Sequence, residues 1–439
     1  MTAIAGAHPE TQCEVLVVGG GPAGSTIAAL LAGRGRHVVL VEKDKHPRFH
    51  IGESLLPLNL PLLDQLGVEG EVAGIAMLKY GAEFVSPFHD KTVTFDFADA
   101  WDKRHPYAYQ VRRSEFDHVL LKNATAKGAT VIEECKITEV DFQSDGGTVA
   151  RGQHRDGRNH VWHARFLVDA SGRDTLLANR FGIKKRNSKH NSAAIFGHFT
   201  NAQRLPGKAE GNISIFWFAH GWFWFIPLHD GTTSVGAVCW PYYMKTRKSD
   251  PTTFFMETIA LCPAAAERLK DAALVAPVTA TGNYSYRAAR MTGRGYIMLG
   301  DAFAFIDPVF STGVYLAMNS AFLGADTVET CLSEPREAAR ALKRFDKEIR
   351  RGIDTFSWYI YRVTTPTLRE MFMGPRNVLR VQEAVLSLLA GDIFRHSAIR
   401  SRLLVFKTLY YVQNLLNFRR SYMGWRRRKH AIRAPGEAT

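Results

Sequence analysis

Apolar residues fall in short unbroken runs in the first part of the chain. Cys13–Val18 (CEVLVV) and His37–Val41 (HVVLV) have strand length, and between them lie the glycine turn Gly19–Gly24 and the small-residue stretch Ser25–Leu31. This order predicts a βαβ unit with Glu42 at the end of its second strand. Two later runs end in the same way: Arg165–Val168 leads into Asp169-Ala-Ser-Gly172, and Tyr296–Leu299 into Gly300-Asp301. Ligands of an open α/β sheet gather outside the carboxyl ends of its strands, so these ends are expected to build one composite site. Between them, Ala193–Thr200, Asn212–Ala219, Trp222–Leu228 and Thr233–Trp240 read as antiparallel strands, turned at His220-Gly221 and Asp230-Gly231. They carry a close group of aromatics: Phe216, Trp217, Phe218, Trp222, Phe223 and Trp224. From Ser311 onward the pattern is mostly helical.

The glycine turn sharpens the picture. Gly19, Gly21 and Gly24 form GxGxxG after a strand and before a helix, with Glu42 standing 23 positions after Gly19. The glycines admit a pyrophosphate to the helix N-terminus, and the acid can accept from ribose hydroxyls. The expected fold is α/β, a Rossmann-like dinucleotide-binding fold with an inserted antiparallel sheet and a helical C-terminal region. Residues 1–190 and 285–330 are expected to form a discontinuous nucleotide-binding domain, 191–284 the antiparallel substrate region, and 331–439 the helical region with a basic tail.

Composition adds exclusions. With 46% hydrophobic and 22% charged residues, the 439-residue chain is not a disordered segment, a coiled coil or a collagen-like fibre. Cys13, Cys135, Cys239, Cys262 and Cys331 form no CxxC pair, which argues against a disulfide framework or a cysteine-built zinc site and for a reducing cytoplasm. No apolar stretch approaches the roughly 18 residues of a spanning helix. Met1–Gln12 lacks the charged start and apolar run of a signal peptide.

The net charge of +14 is unevenly placed. From Arg395 to Thr439, Arg395, Arg400, Arg402, Lys407, Arg419, Arg420, Arg426, Arg427, Arg428, Lys429 and Arg433 face one acid, Glu437, so the last 45 residues hold +10 of it. Within Ser401–Phe418, the residues Leu404, Val405, Leu409, Tyr411, Val412, Leu415 and Leu416 recur at helical spacing, with Arg400, Lys407 and Asn414 on the other side. An amphipathic helix is expected there, leading into Trp425-Arg-Arg-Arg-Lys429. Three readings stay open: a helix packed on the body with a solvated tail, a dock for an acidic acyl carrier protein, and a peripheral contact with an anionic membrane. The basic residues are not interleaved through a nucleic-acid module, so no nucleic-acid partner is expected.

An acid after a late buried strand is where an FAD enzyme holds the ribityl chain, and no second GxGxxG stands ready for a nicotinamide nucleotide. The whole chain resembles the FAD enzymes of the para-hydroxybenzoate hydroxylase type. The Gly19–Gly24 turn, Arg113 within Val111-Arg-Arg-Ser-Glu-Phe-Asp117, Asp169-Ala-Ser-Gly172 and Gly300-Asp301 match in order. The resemblance implies that Gly19, Gly21, Gly24, Glu42 and Asp301 bind FAD and that Arg113 touches the flavin.

Further residues resemble one branch of that superfamily, the flavin-dependent halogenases acting on phenols and pyrroles. Trp222-Phe-Trp-Phe-Ile-Pro227 is that branch's WxWxIP, and on a strand Trp222 and Trp224 share a side and wall one cavity. Lys79, in Leu78-Lys-Tyr-Gly-Ala-Glu-Phe84, matches the lysine that halogenases place between flavin and substrate. Its ammonium can polarise hypohalous acid, or its free amine can capture the halogen as a haloamine, which burial favours. Thr312 and Gly313, in Asp307-Pro-Val-Phe-Ser-Thr-Gly-Val314, match the amides that hold a halide; the same amides facing the flavin, as in hydroxylases, is the other reading. Arg48–Pro57 (RFHIGESLLP) resembles the mobile loop over the isoalloxazine, bringing Arg48, Gly52, Glu53 and Ser54 to the cofactor.

Phe310 stands where free-tryptophan halogenases have a glutamate, which points to a phenolic or pyrrolyl acceptor and gives Phe310 a place with the tryptophans along the substrate tunnel. The resemblance implies an FADH2-dependent halogenase that works through flavin hydroperoxide and hypohalous acid and consumes O2 and chloride or bromide. FADH2 would come from a separate NAD(P)H flavin reductase. The acceptor, free or tethered to an acyl carrier protein, would belong to secondary metabolism. An FAD-dependent aromatic monooxygenase without halogenation is the alternative.

Overall fold

The structure, a computed structural model, describes residues 9–187, 190–282, 285–375, 377–394 and 399–432. Arg395, Arg433 and Glu437 of the basic tail, and the first eight residues of the chain, lie outside the described residues.

Glu10–Val18 lies near the middle of an eight-stranded sheet whose order runs Thr292–Gly293, Tyr296–Met298, Asn159–Asp169, Glu10–Val18, Val38–Val41, Thr130–Ile132, with Cys135–Phe142 and Thr148–His154 attached beside Asn159–Asp169. Tyr296–Met298 through Thr130–Ile132 pair in parallel, so their carboxyl ends share one edge. Val18 is in register with Asp169, and Asp169 with Met298. The turns Gly19–Gly24, Ala170–Gly172 and Gly300–Asp301 therefore leave the sheet side by side, as the sequence pattern requires of a composite site. Val15–Val17 and Val38–Leu40 are inaccessible to solvent, which explains their unbroken apolar runs: both faces of a parallel sheet are covered. The helices Pro22–Gly33 and Thr312–Ser333 pack on each other.

The second sheet runs Ala273–Leu274, Ala193–Thr200, Thr233–Cys239, Gly221–Pro227, Ile213–Phe218, Gly81–Ser86, Lys91–Asp96. The four strands expected from alternation are present within a residue or two. The sheet is nevertheless not confined to 191–284. Gly81–Ser86 pairs in parallel with Ile213–Phe218, so strands from within 1–190 complete it. All residues of Ile213–Phe218 and Gly221–Pro227 are buried, because the sheet separates two cores. Alternation sorts the aromatics between them. Trp217, Trp222 and Trp224 join the main core, whereas Phe216, Phe218, Phe223 and Phe225 join a second core with residues of the helices Pro251–Ala260 and Pro263–Arg268. Gly236 is opposite Trp224, and a Cβ there would stand 2.2 Å from the indole, so the glycine makes room for the ring.

The C-terminal region corrects one expectation. A helix does form at Ile399–Leu416, but its buried side is Ile399, Leu403, Phe406 and Tyr410. Leu404, Leu409, Tyr411, Val412, Leu415 and Leu416, the apolar face expected from the sequence, are exposed and not the side packed on the body. The helix is apolar on two sides, and the aromatic-rich stripe that meets Trp358 and Tyr359 takes the body. Phe418–Ala431 continues as a second helix, with Phe418, Tyr422 and Trp425 stacked in sequence on its outside.

Candidate active site

The three strand ends open into a cavity of about 1040 Å³. Gly19, Gly21, Glu42, Arg48, Gly52, Glu53, Ser54, Arg113, Asp301, Gly313, Trp222 and Trp224 all line it. One sequence motif thus accounts for one end, where Gly21 caps the N-terminus of Pro22–Gly33. A Cβ on Gly24 would stand 1.8 Å from the Gly19 carbonyl oxygen, so only glycine lets the turn pack this tightly on the helix. Glu42 is buried, and its two carboxylate oxygens accept the Gly20 N–H at 2.5 Å and the Asp44 N–H at 2.9 Å.

The same end fits a dinucleotide in its unfilled bonding. Arg48 lies between Glu42 at 3.8 Å and Asp117 at 3.5 Å, yet its Nε is buried with no hydrogen-bond partner among the described residues. Asp301 faces the cavity, and burial pushes its carboxyl up to about 6 against the pull of Arg113 and Arg173. Such an acid suits a chain of hydroxyl groups, to which it can donate or accept. Arg113 clasps Asp117 through two bonds of 2.8 and 2.9 Å and donates to the Ile51 carbonyl at 2.7 Å.

Arg48–Pro57 crosses the cavity as a strap. Arg113 holds it at Ile51 and Lys79 at the other end, where Nζ donates to Ser54 Oγ at 2.9 Å and to the Leu55 carbonyl at 3.1 Å. Glu53 and Leu55 exchange backbone bonds with Val111 and Tyr109. Lys79 ends the strand Ala76–Lys79, paired with Ala108–Val111. It is 2% exposed while Leu78 is 44% exposed, the reverse of what hydropathy expects. Burial alone pulls its amine down to about 7. Lys79 does not line the main cavity; it stands directly behind Ser54, which does.

Trp222 and Trp224 do share one side, their rings 6.2 Å apart, and the Trp224 indole donates to Ser234 Oγ at 3.2 Å. Phe310 takes another place: it stacks on Phe372 at 6.3 Å and is not on the cavity wall. Thr312 is buried at the start of the helix Thr312–Ser333, after Ser311 in the left-handed region, and its neighbour Gly313 faces the cavity.

Other residues at the site were not singled out one by one in the sequence. Phe49 and His50 belong to the strap, and burial, with Arg113 beside it, pulls His50 down to about 4. Phe196 sits on the second sheet, with Phe49 6.2 Å away and Trp224 5.8 Å away. His198, from the same strand, pairs with Glu53 at 2.8 Å, leaving Glu53 Oε2 buried and unpartnered among the described residues. His198 had only the alternation of its strand to mark it as inward.

The chain as a whole is similar to known proteins. The family model described as tryptophan halogenase matches residues 14–105 and 97–370. A tryptophan 2-halogenase of Chondromyces crocatus is 34% identical over 343 residues, covering 77% of this chain and 65% of that relative, so the chain spans about two thirds of its length. A 1H-pyrrole-2-carbonyl-(peptidyl-carrier protein) chlorinase of Pseudomonas fluorescens is 28% identical over 404 residues, or 87% of this chain and 89% of its own. The solved structure of the myxobacterial chondrochloren halogenase CndH, an FAD-dependent halogenase, superposes with a TM-score of 0.76 at 35% identity, covering 80% of this chain and 82% of that one. With the family pattern over most of its length and the fold of an FAD-dependent halogenase, the chain belongs to the tryptophan halogenase family of FAD-dependent enzymes.

Proposed function

We propose that the chain halogenates an electron-rich phenolic or pyrrolyl ring, with Lys79 presenting the halogen. The observation that carries this reading is the lysine itself: a fully buried amine, held by a hydroxyl and a carbonyl instead of a carboxylate, and drawn down to about 7. A structural lysine gains nothing from that environment, whereas an amine that must be partly unprotonated at neutral pH does.

Bound as FADH2, the cofactor supplies the activation of O2 that turns a halide into electrophilic halogen. Gly19, Gly21, Gly24, Glu42 and Arg48 hold its nucleotide end, Asp301 the ribityl chain, and the strap residues Gly52, Glu53 and Ser54, with Arg113, the flavin. The backbone N–H groups of Thr312 and Gly313, at the positive end of a 22-residue helix with no acid in its first turn, hold the halide. The free amine of Lys79 then takes halogen from hypohalous acid: the N–halogen bond forms as the halogen–oxygen bond breaks, and water leaves with an amine proton. The ring takes the halogen from nitrogen, loses its own proton and returns the amine. Trp222, Trp224 and Phe196, on the cavity side of Ser54, exclude water and wall the path by which hypohalous acid reaches Lys79 behind it.

The absence of a second GxGxxG supports a separate NAD(P)H flavin reductase as the source of FADH2. The likeness to a chlorinase of a carrier-bound pyrrole supports a tethered acceptor. The exposed Arg419, Arg426, Arg427 and Lys429 beside Tyr422 and Trp425 suit an acidic carrier protein. In the test, reductase, NADH and chloride or bromide are supplied with phenolic and pyrrolyl acceptors, free and carrier-bound, and products are read by mass spectrometry. A mass gain with the halogen isotope pattern is expected; Lys79→Ala should lose it while oxygen uptake continues. Hydroxylated product in halide-free buffer would overturn halogenation. Binding of the C-terminal helices to anionic vesicles and not to carrier would overturn the docking assignment.

A further inference from the structure

Arg428 is the exception in the basic C-terminal helix. Its neighbours Arg426, Arg427 and Lys429 are exposed, while Arg428 is partly buried and turned towards the body, with Nη2 3.4 Å from Nδ1 of His190. The opposite ring nitrogen, Nε2, lies 2.6 Å from Oδ2 of Asp307. A guanidinium only donates and a carboxylate only accepts, so one tautomer serves both neighbours: Nε2 carries the proton and Nδ1 accepts. The imidazole is fixed in place by Tyr361, stacked at 5.6 Å, and Trp240, edge-on at 6.1 Å. Asn191 Nδ2 donates to the Ile432 carbonyl at 3.2 Å and ties the end of the same helix beside it.

Asp307 is the buried end of this chain. Its Oδ1 accepts the Val309 N–H at 3.0 Å and caps the single turn Pro308–Phe310, and its Oδ2 also accepts from Ser192 Oγ at 3.3 Å. That turn delivers Ser311, with φ 56, and then Thr312 and Gly313. A desolvated carboxylate a few residues from amides that bind an anion opposes that anion, since charges act strongly across a buried region. A cation at the far side of the imidazole offsets it.

We infer that Arg428, acting through His190 on Asp307, is a positioning residue for the halide site. It compensates the Asp307 charge and holds the turn so that the Thr312 and Gly313 amides meet a halide. This rests on the assignment of the halide to those amides.

The test uses the full chain loaded with FAD. Halide KM comes from turnover, and halide Kd from the bromide-dependent change in the absorbance of bound oxidised flavin, which needs no turnover. Arg428→Met should raise halide KM and Kd about tenfold and leave kcat at saturating halide and FAD affinity within about twofold; Arg428→Lys should recover most of the loss. The deciding variant combines Arg428→Met with Asp307→Asn, which removes the carboxylate charge and keeps an acceptor for Val309. Halide affinity should return towards the starting value. Unchanged halide KM and Kd in Arg428→Met, or no recovery in the double variant, would overturn the relay. A starting protein whose flavin spectrum and products ignore halide altogether would instead overturn the halide assignment.

Discussion

Lys79 costs the fold stability. Its amine falls from the usual lysine range to about 7 because water is excluded, and each unit of such a shift is worth about 1.4 kcal/mol. The sign follows from linkage. Above about pH 10.5 the lysine is neutral in both folded and unfolded chains and costs nothing; as pH falls, the unfolded chain takes up the proton first, and the penalty grows until about pH 7, below which it is constant. Lys79→Met should therefore stabilise the protein by several kcal/mol at neutral pH, on the order of 4, and by little at pH 10. Urea unfolding at the two pH values measures this, and a pH-independent difference would show that desolvation of the amine is not the cause. Gly24→Ala should abolish FAD binding, measured by fluorescence titration, since the added methyl collides with the Gly19 carbonyl. Both residues were legible in the sequence, for different reasons. The glycines carry a steric requirement that any reader can state. Lys79 was visible only through its likeness to halogenases, because hydropathy puts Leu78 inside and the lysine out. The pairs His198–Glu53 and His190–Asp307 join positions 145 and 117 residues apart, and nothing local announces them.

At the scale of elements, alternation and punctuation did most of the predictive work. Strand ends at Val18, Asp169 and Met298 align as expected because parallel pairing leaves no other arrangement for their turns. The C-terminal helix shows where such reading stops. Leu403, Phe406 and Tyr410 form a second stripe on the side opposite Leu404, Leu409 and Val412, and periodicity alone cannot rank two apolar faces. The distinction is measurable. Leu415 and Leu416 are 74% and 78% exposed, so replacing both by Glu should change unfolding free energy by no more than about 1 kcal/mol and, on the proposed docking role, weaken binding of an acidic carrier protein, measured by titration calorimetry. A loss of several kcal/mol would mean that this stripe is packed after all.

For the molecule as a whole, most of the excess charge, +9 of +14, sits on the last two helices, a point legible from counting alone. The composition of the second sheet was not legible: Gly81–Ser86 reaches Ile213–Phe218 in parallel, and such pairing needs a long crossover that leaves no mark on either strand. That sheet also shapes how the enzyme can change over evolutionary time. Trp222, Trp224 and Phe196 come from it, whereas Gly19, Glu42 and Asp301 follow strands of the parallel sheet and Arg113 opens the helix Arg113–Ala126. On the proposed reading, a lineage trades one aromatic acceptor for another by resculpting an indole wall from its own sheet and leaves the glycine turn and its helix untouched.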